Sequence, residues 1–225
     1  MNTQINIDKN GTTTLATAGK YCDRNIDVNV DIIGDIVNDA DLILDGSFSG
    51  GYFSDKITEL RDSAFESQSY IESVSLPNCI IFQGQGTFRS CIKLKSVYLP
   101  NLTTIVNTAY TFSNSKITEL DLPNLTSATG TALCYKAQLL KTVRLPKLSG
   151  NTIGASWFNE TALTTLVLGG NELNPLDNVS AFNKSPIQSG TGYIYVPDNL
   201  VETYKTATNW ATFADNIKPI SELEE

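Results

Sequence analysis

The chain has 225 residues, 41% of them apolar, which is enough for one ordinary domain with appendages. Lys and Arg number 16 against 24 Asp and Glu, and the net charge of -8 opposes a phosphate backbone or an anionic lipid surface, so neither nucleic acid nor membrane insertion is expected. Histidine is absent, which removes His-dependent triads, the usual zinc ligand sets and the commonest general base.

The opening MNTQINIDKNG has no basic segment followed by an apolar one, and no stretch nears the roughly 18 apolar residues of a membrane span. Export or anchoring by a recognised route is therefore not expected. Residues 1–34 read as a small β module. Ile5 and Ile7 alternate before Asn10-Gly11, a hairpin-turn dipeptide, and Ile26, Val28, Val30 and Ile32 alternate with Asp27, Asn29 and Asp31. A piece of about 30 residues buries too little surface to stand alone. Its dry face is a candidate for docking on the rest of the chain, on a partner, or on another copy.

Residues 35–196 read as a solenoid whose first turn, around Leu42-Ile43-Leu44 and FSGGYF, is irregular because a terminal repeat has to shield an open core end. The aspartates at 23, 27, 31, 35, 39, 41 and 45 lack the calcium-loop spacing and read as a solvated face. From Ile71 onward one phrase recurs every 23 residues: Ile71-x-x-Val74-x-Leu76, Leu94-x-x-Val97-x-Leu99, Ile117-x-x-Leu120-x-Leu122, Leu140-x-x-Val143-x-Leu145 and Leu163-x-x-Leu166-x-Leu168. Its three apolar letters predict a strand with an inward face. Proline at 77, 100, 123 and 146 ends the strand, because it has no N–H for the ladder and its φ is fixed; Gly169-Gly170 takes that place in the fifth copy.

Each return leg carries a small residue and a ring, at Ala64-Phe65, Thr87-Phe88, Thr111-Phe112, Cys134-Tyr135, Trp157-Phe158 and Ala181-Phe182, and these rings are expected to stack as a back wall. Stacked units give a parallel sheet on one side and turns or short helical segments on the other, an α/β leucine-rich-repeat solenoid. After Leu168 an insertion delays the next strand to GYIYVP, 28 residues on, with Ile194 and Val196 inward. Residues 197–225 then read as a capping helix and tail: Asp198 at the cap, apolar Leu200, Tyr204, Ala207, Trp210 or Ala211 and Ala214 at helical spacing, and Ile217-Lys218-Pro219 as the stop.

At this point the L-x-x-V-x-L-P strand, the ring on the return leg and the 23-residue period resemble the BspA-like leucine-rich repeats of bacterial surface proteins and phage genes, over about residues 42–196. The segment SGTGYIYVPDNLVETYKTATNWATFADNIKPISE is similar to the end of many such proteins from gut Firmicutes and their prophages, and NGTTTLATAGKYCDRNIDVNV resembles a β module of phage structural proteins. The resemblance implies a virion component, made in the host cytoplasm, that docks on other virion proteins through residues 1–34 and presents the solenoid for host attachment. The alternative is a bacterial cell-surface adhesin.

Chemistry is sparse. Cys22, Cys79, Cys91 and Cys134 form no C-x-x-C pair, and the two near the ring slots read as small buried hydrophobes. Gly84-x-Gly86 lacks the Lys-Ser/Thr of a phosphate loop, so no cofactor is expected. Glu119 and Asp121 offer a carboxylate pair of glycosidase type, but Thr142 and Arg144 should lie beside them in the ladder as cross-strand partners. An enzyme is not expected. The candidate binding face is the outward column Ser73, Ser96, Glu119, Thr142, Thr165 together with Ser75, Tyr98, Asp121, Arg144, Val167, Tyr195, facing a host protein or glycan receptor or nothing at all.

Overall fold

The computed structural model describes residues 3–7, 13–17 and 50–223. At the amino end β1 (Thr3–Ile7) pairs antiparallel with β2 (Thr13–Thr17), with Ile5 opposite Leu15. The predicted run Ile26–Ile32, Asn10-Gly11, Cys22, the acidic row and Leu42–Leu44 lie outside the described residues.

The 23-residue phrase builds a parallel sheet in two pieces. β3 (Gly50–Phe53), β5 (Ile71–Ser75) and β7 (Ser96–Tyr98) form the first. β9 (Glu119–Asp121), β11 (Thr142–Leu145), β12 (Thr165–Leu168), β13 (Tyr193–Val196) and β14 (Ile217–Pro219) form the second. Like letters stack: Val74 on Val97, Leu120 on Val143, and Val143 on Leu166. Every apolar letter of the five phrases is buried except Val97, which is half-buried. Burial of each such side chain stabilises the fold by about 1.5–3 kcal/mol before entropy is counted.

Away from this sheet the expected turns carry the rings, and among the described repeats a helical segment occurs only as a 3-10 turn over Val179–Phe182. A second parallel ladder, not expected, accompanies them. It consists of β4 (Glu59–Leu60), β6 (Ile81–Phe82), β8 (Thr104–Ile105) and β10 (Ser127–Ala128), and a bridge from Ile153 to Leu176 joins the later coils in the same way. These legs are short and rich in Thr, Ser, Asn and β-branched residues, which favour extended backbone over helix. Among the described residues the one α-helix is α1 (Val201–Thr206), so the α/β description is corrected to a β-solenoid with a short helix at its end.

The wall of rings closes the third side. Phe65, Phe88 and Phe112 stack with centroids 5.2 and 5.5 Å apart. Two residues before and two after each slot the backbone is left-handed, at Ser63 and Ser67, Gly86 and Ser90, Tyr110 and Asn114, Ala132 and Lys136, Ser156 and Glu160. Between them the amides of alternate residues donate to carbonyls of the next coil, as from Phe65 to Thr87 and from Phe88 to Thr111. By this pattern the fourth slot belongs to Cys134, not to Tyr135, whose side chain is only half-buried. Trp157 reaches back into that coil: its indole N–H donates to the carbonyl of Gly130 at 2.8 Å.

The Leu-Pro-Asn corners interlock. The side-chain amides of Asn78, Asn101 and Asn124 donate to the carbonyls of Asp55, Pro77 and Pro100 one coil back, at 2.7, 2.8 and 2.7 Å. At Gly169 a Cβ would sit 1.9 Å from the carbonyl oxygen of Pro146, which is why glycine replaces proline there.

The carboxyl end is not one long helix. α1 stops at Thr206, and Asn209 is left-handed ahead of a 3-10 segment over Trp210–Asn216. Ile217–Pro219 does end that segment, but as the strand β14, with Ile217 beside Ile194. Asp198 is not the cap expected of it, since Pro197 and Leu200 stand at the caps of the 3-10 turn and of α1; its side chain accepts from the amide of Ser221 at 3.2 Å, and hydrogen bonding to Ser221 holds its carboxyl below the usual range. Tyr204 and Trp210 are fully buried and Phe213 nearly so, and Phe182 meets Trp210 and Phe213 at 5.9 and 5.1 Å, so these rings extend the wall and cover the end of the core.

Candidate functional site

The outer face of the long sheet carries two columns of side chains. One runs Gly51, Ser73, Ser96 and then Glu119, Thr142, Thr165, Tyr193. The other runs Phe53, Ser75, Tyr98 and then Asp121, Arg144, Val167, Tyr195, Lys218. All eleven predicted face residues lie on these columns. Phe53, Tyr193 and Lys218 join them. Phe53 was hidden by the irregular Gly-Gly register shift before it, and Lys218 by the helical reading of its segment. Tyr193 was legible as the residue two before Tyr195.

One predicted residue does not serve. Val167 is 6% exposed, between Arg144 and Tyr195 in the ladder, so it offers a partner almost no surface. The expected ladder neighbours are present, Thr142 beside Glu119 and Arg144 beside Asp121, while the guanidinium of Arg144 reaches diagonally to Glu119, at 3.9 Å. Both groups of that pair are more than 40% exposed, so it contributes at most about 1 kcal/mol.

The two halves of the face differ in chemistry. The first, on β3, β5 and β7, presents Phe53 and Tyr98, 53% and 60% exposed, among glycine and serines. Glu72 and Lys95 at its margin pair with each other at 2.7 Å, and the Lys95 hydrogen bond holds the Glu72 carboxyl below its usual range. The second half carries Glu119, Asp121 and Arg144, and at its far end the Lys218 ammonium lies 4.2 Å from the centre of the Tyr193 ring.

The thiols lie elsewhere. Cys79, Cys91 and Cys134 are buried, and burial pushes Cys79 and Cys91 up to about 12 and Cys134 well above the ordinary thiol range. Such groups are inert at neutral pH. Among the described residues no cluster of His, Cys, Asp or Glu has the arrangement of a metal site, and no helix is long and apolar enough to cross a membrane.

A family model described as the BspA type leucine-rich repeat region matches residues 58–188 in six copies. The crystal structure of the pneumococcal vaccine antigen PcpA is similar in fold, with a TM-score of 0.53 and 18% identity over 75% of this chain and 39% of that one. The chain therefore spans less than half the length of that antigen. No curated protein matches it. With a match over more than half of its length, a solenoid of parallel sheets and stacked like residues in each coil, the chain belongs to the BspA-type leucine-rich repeat family.

Proposed function

We propose that this protein is a non-enzymatic recognition module of a bacterial cell-surface protein, and that it binds a host protein or glycan through the outer face of its long sheet. The observation that carries the reading is the contrast within one sheet: the inner face is sealed, while the outer face leaves Phe53 and Tyr98 more than half exposed on a rigid ladder. Rigid aromatic area bordered by hydroxyls binds with little loss of side-chain entropy.

The surface reading displaces the virion reading. One solved structure of similar fold is that of a vaccine antigen, which favours a protein exposed outside its cell. The carboxyl-terminal segment whose likeness suggested a phage origin packs as the end of the solenoid, through Tyr204, Trp210 and β14. Its likeness therefore speaks of how such a solenoid ends, not of where the protein resides. Residues 1–34 are assigned to docking on a neighbouring surface protein or on a second copy. The open glycosidase alternative loses ground, because Glu119 and Asp121 are exposed on an open sheet and Arg144 lies near Glu119.

Two measurements test the reading. Antibody to the protein should label intact producing cells; recovery only in purified phage particles overturns the location. Purified protein should bind host cells or extracellular matrix saturably, and Phe53→Ser with Tyr98→Ser should abolish that binding at an unchanged melting temperature. Binding that ignores both substitutions refutes the face.

A further inference from the structure

We infer that the uncharged half of the sheet face takes a neutral, extended polysaccharide, an inference that rests on the recognition reading above. Phe53, Ser75 and Tyr98 stand in one register across β3, β5 and β7, with Gly51, Ser73 and Ser96 in the column beside them. A Cβ at Gly51 would lie 2.7 Å from the Ser73 hydroxyl, so the surface beside the two rings is kept low.

Charge selects the class of partner. The chain carries -8, which repels polyanions, and a cationic partner would settle on Glu119 and Asp121 in the other half. No formal charge stands on the columns of the first half, and Glu72 and Lys95 at its margin neutralise each other. A ligand seated there needs no counter-charge.

Geometry and hydrogen bonding narrow the class. Adjacent strands lie about 4.8 Å apart, so Phe53 and Tyr98, with one strand between them, are about 10 Å apart. An extended β-1,4-linked chain of pyranoses advances by about one such spacing per sugar and turns over at each step. Two like-facing sugars then lie over the two rings, and the sugar between them spans Ser75. Aromatic faces bury the C–H faces of pyranoses, and serine hydroxyls both donate and accept, as sugar hydroxyls do. A peptide adding as a strand pairs with the edge of a sheet, not with the side-chain face that carries Phe53, Ser75 and Tyr98.

The test is isothermal titration of the full chain with hexa-N-acetylchitohexaose, cellohexaose, hyaluronan and a proline-rich peptide, in low and high salt. Saturable binding of at least one neutral hexasaccharide is expected, indifferent to salt, weakened tenfold or more by Phe53→Ala and by Tyr98→Ala, and unaltered by Glu202→Ala on α1, away from the face. Both rings are exposed, so the variants should melt with the parent protein. No heat from either neutral sugar, preference for hyaluronan or the peptide, or full binding by Tyr98→Ala overturns the proposal. If the protein still binds host cells while ignoring both sugars, the glycan is wrong and the recognition face stands; if it binds neither, both fall.

Discussion

The hydroxyl of Tyr204 lies 2.9 Å from the backbone nitrogen of Asn174 and 3.1 Å from its side-chain nitrogen, so one buried oxygen accepts from both donors. Asn174 holds the coils together in turn. Its side-chain oxygen accepts from the amide of Asn151 at 2.9 Å, its side-chain nitrogen also approaches the Leu148 carbonyl at 3.1 Å, and its own carbonyl accepts from the Trp210 indole at 2.7 Å. A single asparagine thus joins the last repeats to the closing segment.

Removing the Tyr204 hydroxyl should leave buried Asn174 donors unsatisfied. Tyr204→Phe keeps the ring and its packing on Trp210 at 5.3 Å, so the loss isolates the hydrogen bonds. A cost of about 1–3 kcal/mol is expected, read as a lower urea midpoint, and Asn174→Ala should cost more because its side chain also bonds Asn151 and Leu148. An unchanged midpoint in Tyr204→Phe would show that the closing segment is held by ring packing alone.

A second prediction concerns the wall of rings. Cys134 occupies a slot that holds phenylalanine in the neighbouring coils, and fully buried Trp157 reaches back into that coil through Gly130. Trp157→Ala should cost about 3–5 kcal/mol by opening a cavity. Cys134→Phe should cost about 1–3 kcal/mol by overpacking while Trp157 is present. If the two residues divide one volume, the double variant will be more stable than the sum of the single effects predicts, and simple additivity in denaturant unfolding would separate them.

That slot also shows where the letters stop being informative. The 23-residue period and the inward Leu, Ile and Val were legible because an inward face demands apolar residues at every turn, and a one-residue slip would expose them all. The wall obeys a weaker rule. At Cys134-Tyr135 the nearest ring in the sequence is one residue past the true slot, which is marked only by left-handed backbone at Ala132 and Lys136, and neither letter announces that conformation. On the outer face the register was legible and the exposure was not. Val167 follows the period yet is buried, and Arg144 swings to Glu119, because a long side chain answers to distance and not to ladder order. The second ladder went unread because its strands are two residues long, too short for a period to show.

The left-handed positions yield a stabilising substitution. Ser67 has φ of 61° and an exposed side chain, so its Cβ sits in a conformation that costs an L-residue roughly 1–2 kcal/mol. Ser67→Gly should therefore raise stability by about 1 kcal/mol, through relief of the backbone alone. Gly86, with φ of 65°, occupies a left-handed place in its own coil, and Gly86→Ala should move stability the other way. Urea midpoints that shift in the same direction for both would contradict the role given to the backbone.

The buried thiols give the protein a predictable response to alkali. Burial raises Cys79 and Cys91 from 9.0 to about 12, and it moves Cys134, Tyr52 and Tyr204 upward as well. A raised value means the folded state holds the proton more tightly than the unfolded chain does. The contribution of the two thiols is complete below pH 9 and is lost as pH rises through about 12, so the urea midpoint should fall progressively across that window and not below it. The same burial predicts that iodoacetamide at about pH 8 leaves the peptides containing Cys79, Cys91 and Cys134 unmodified in the native protein and labels all three in urea. Mass spectrometry of the digested protein reads both states. Labelling of the native protein at the rate of a free cysteine would show that these coils open under native conditions, and a sealed inner face would no longer describe the solenoid.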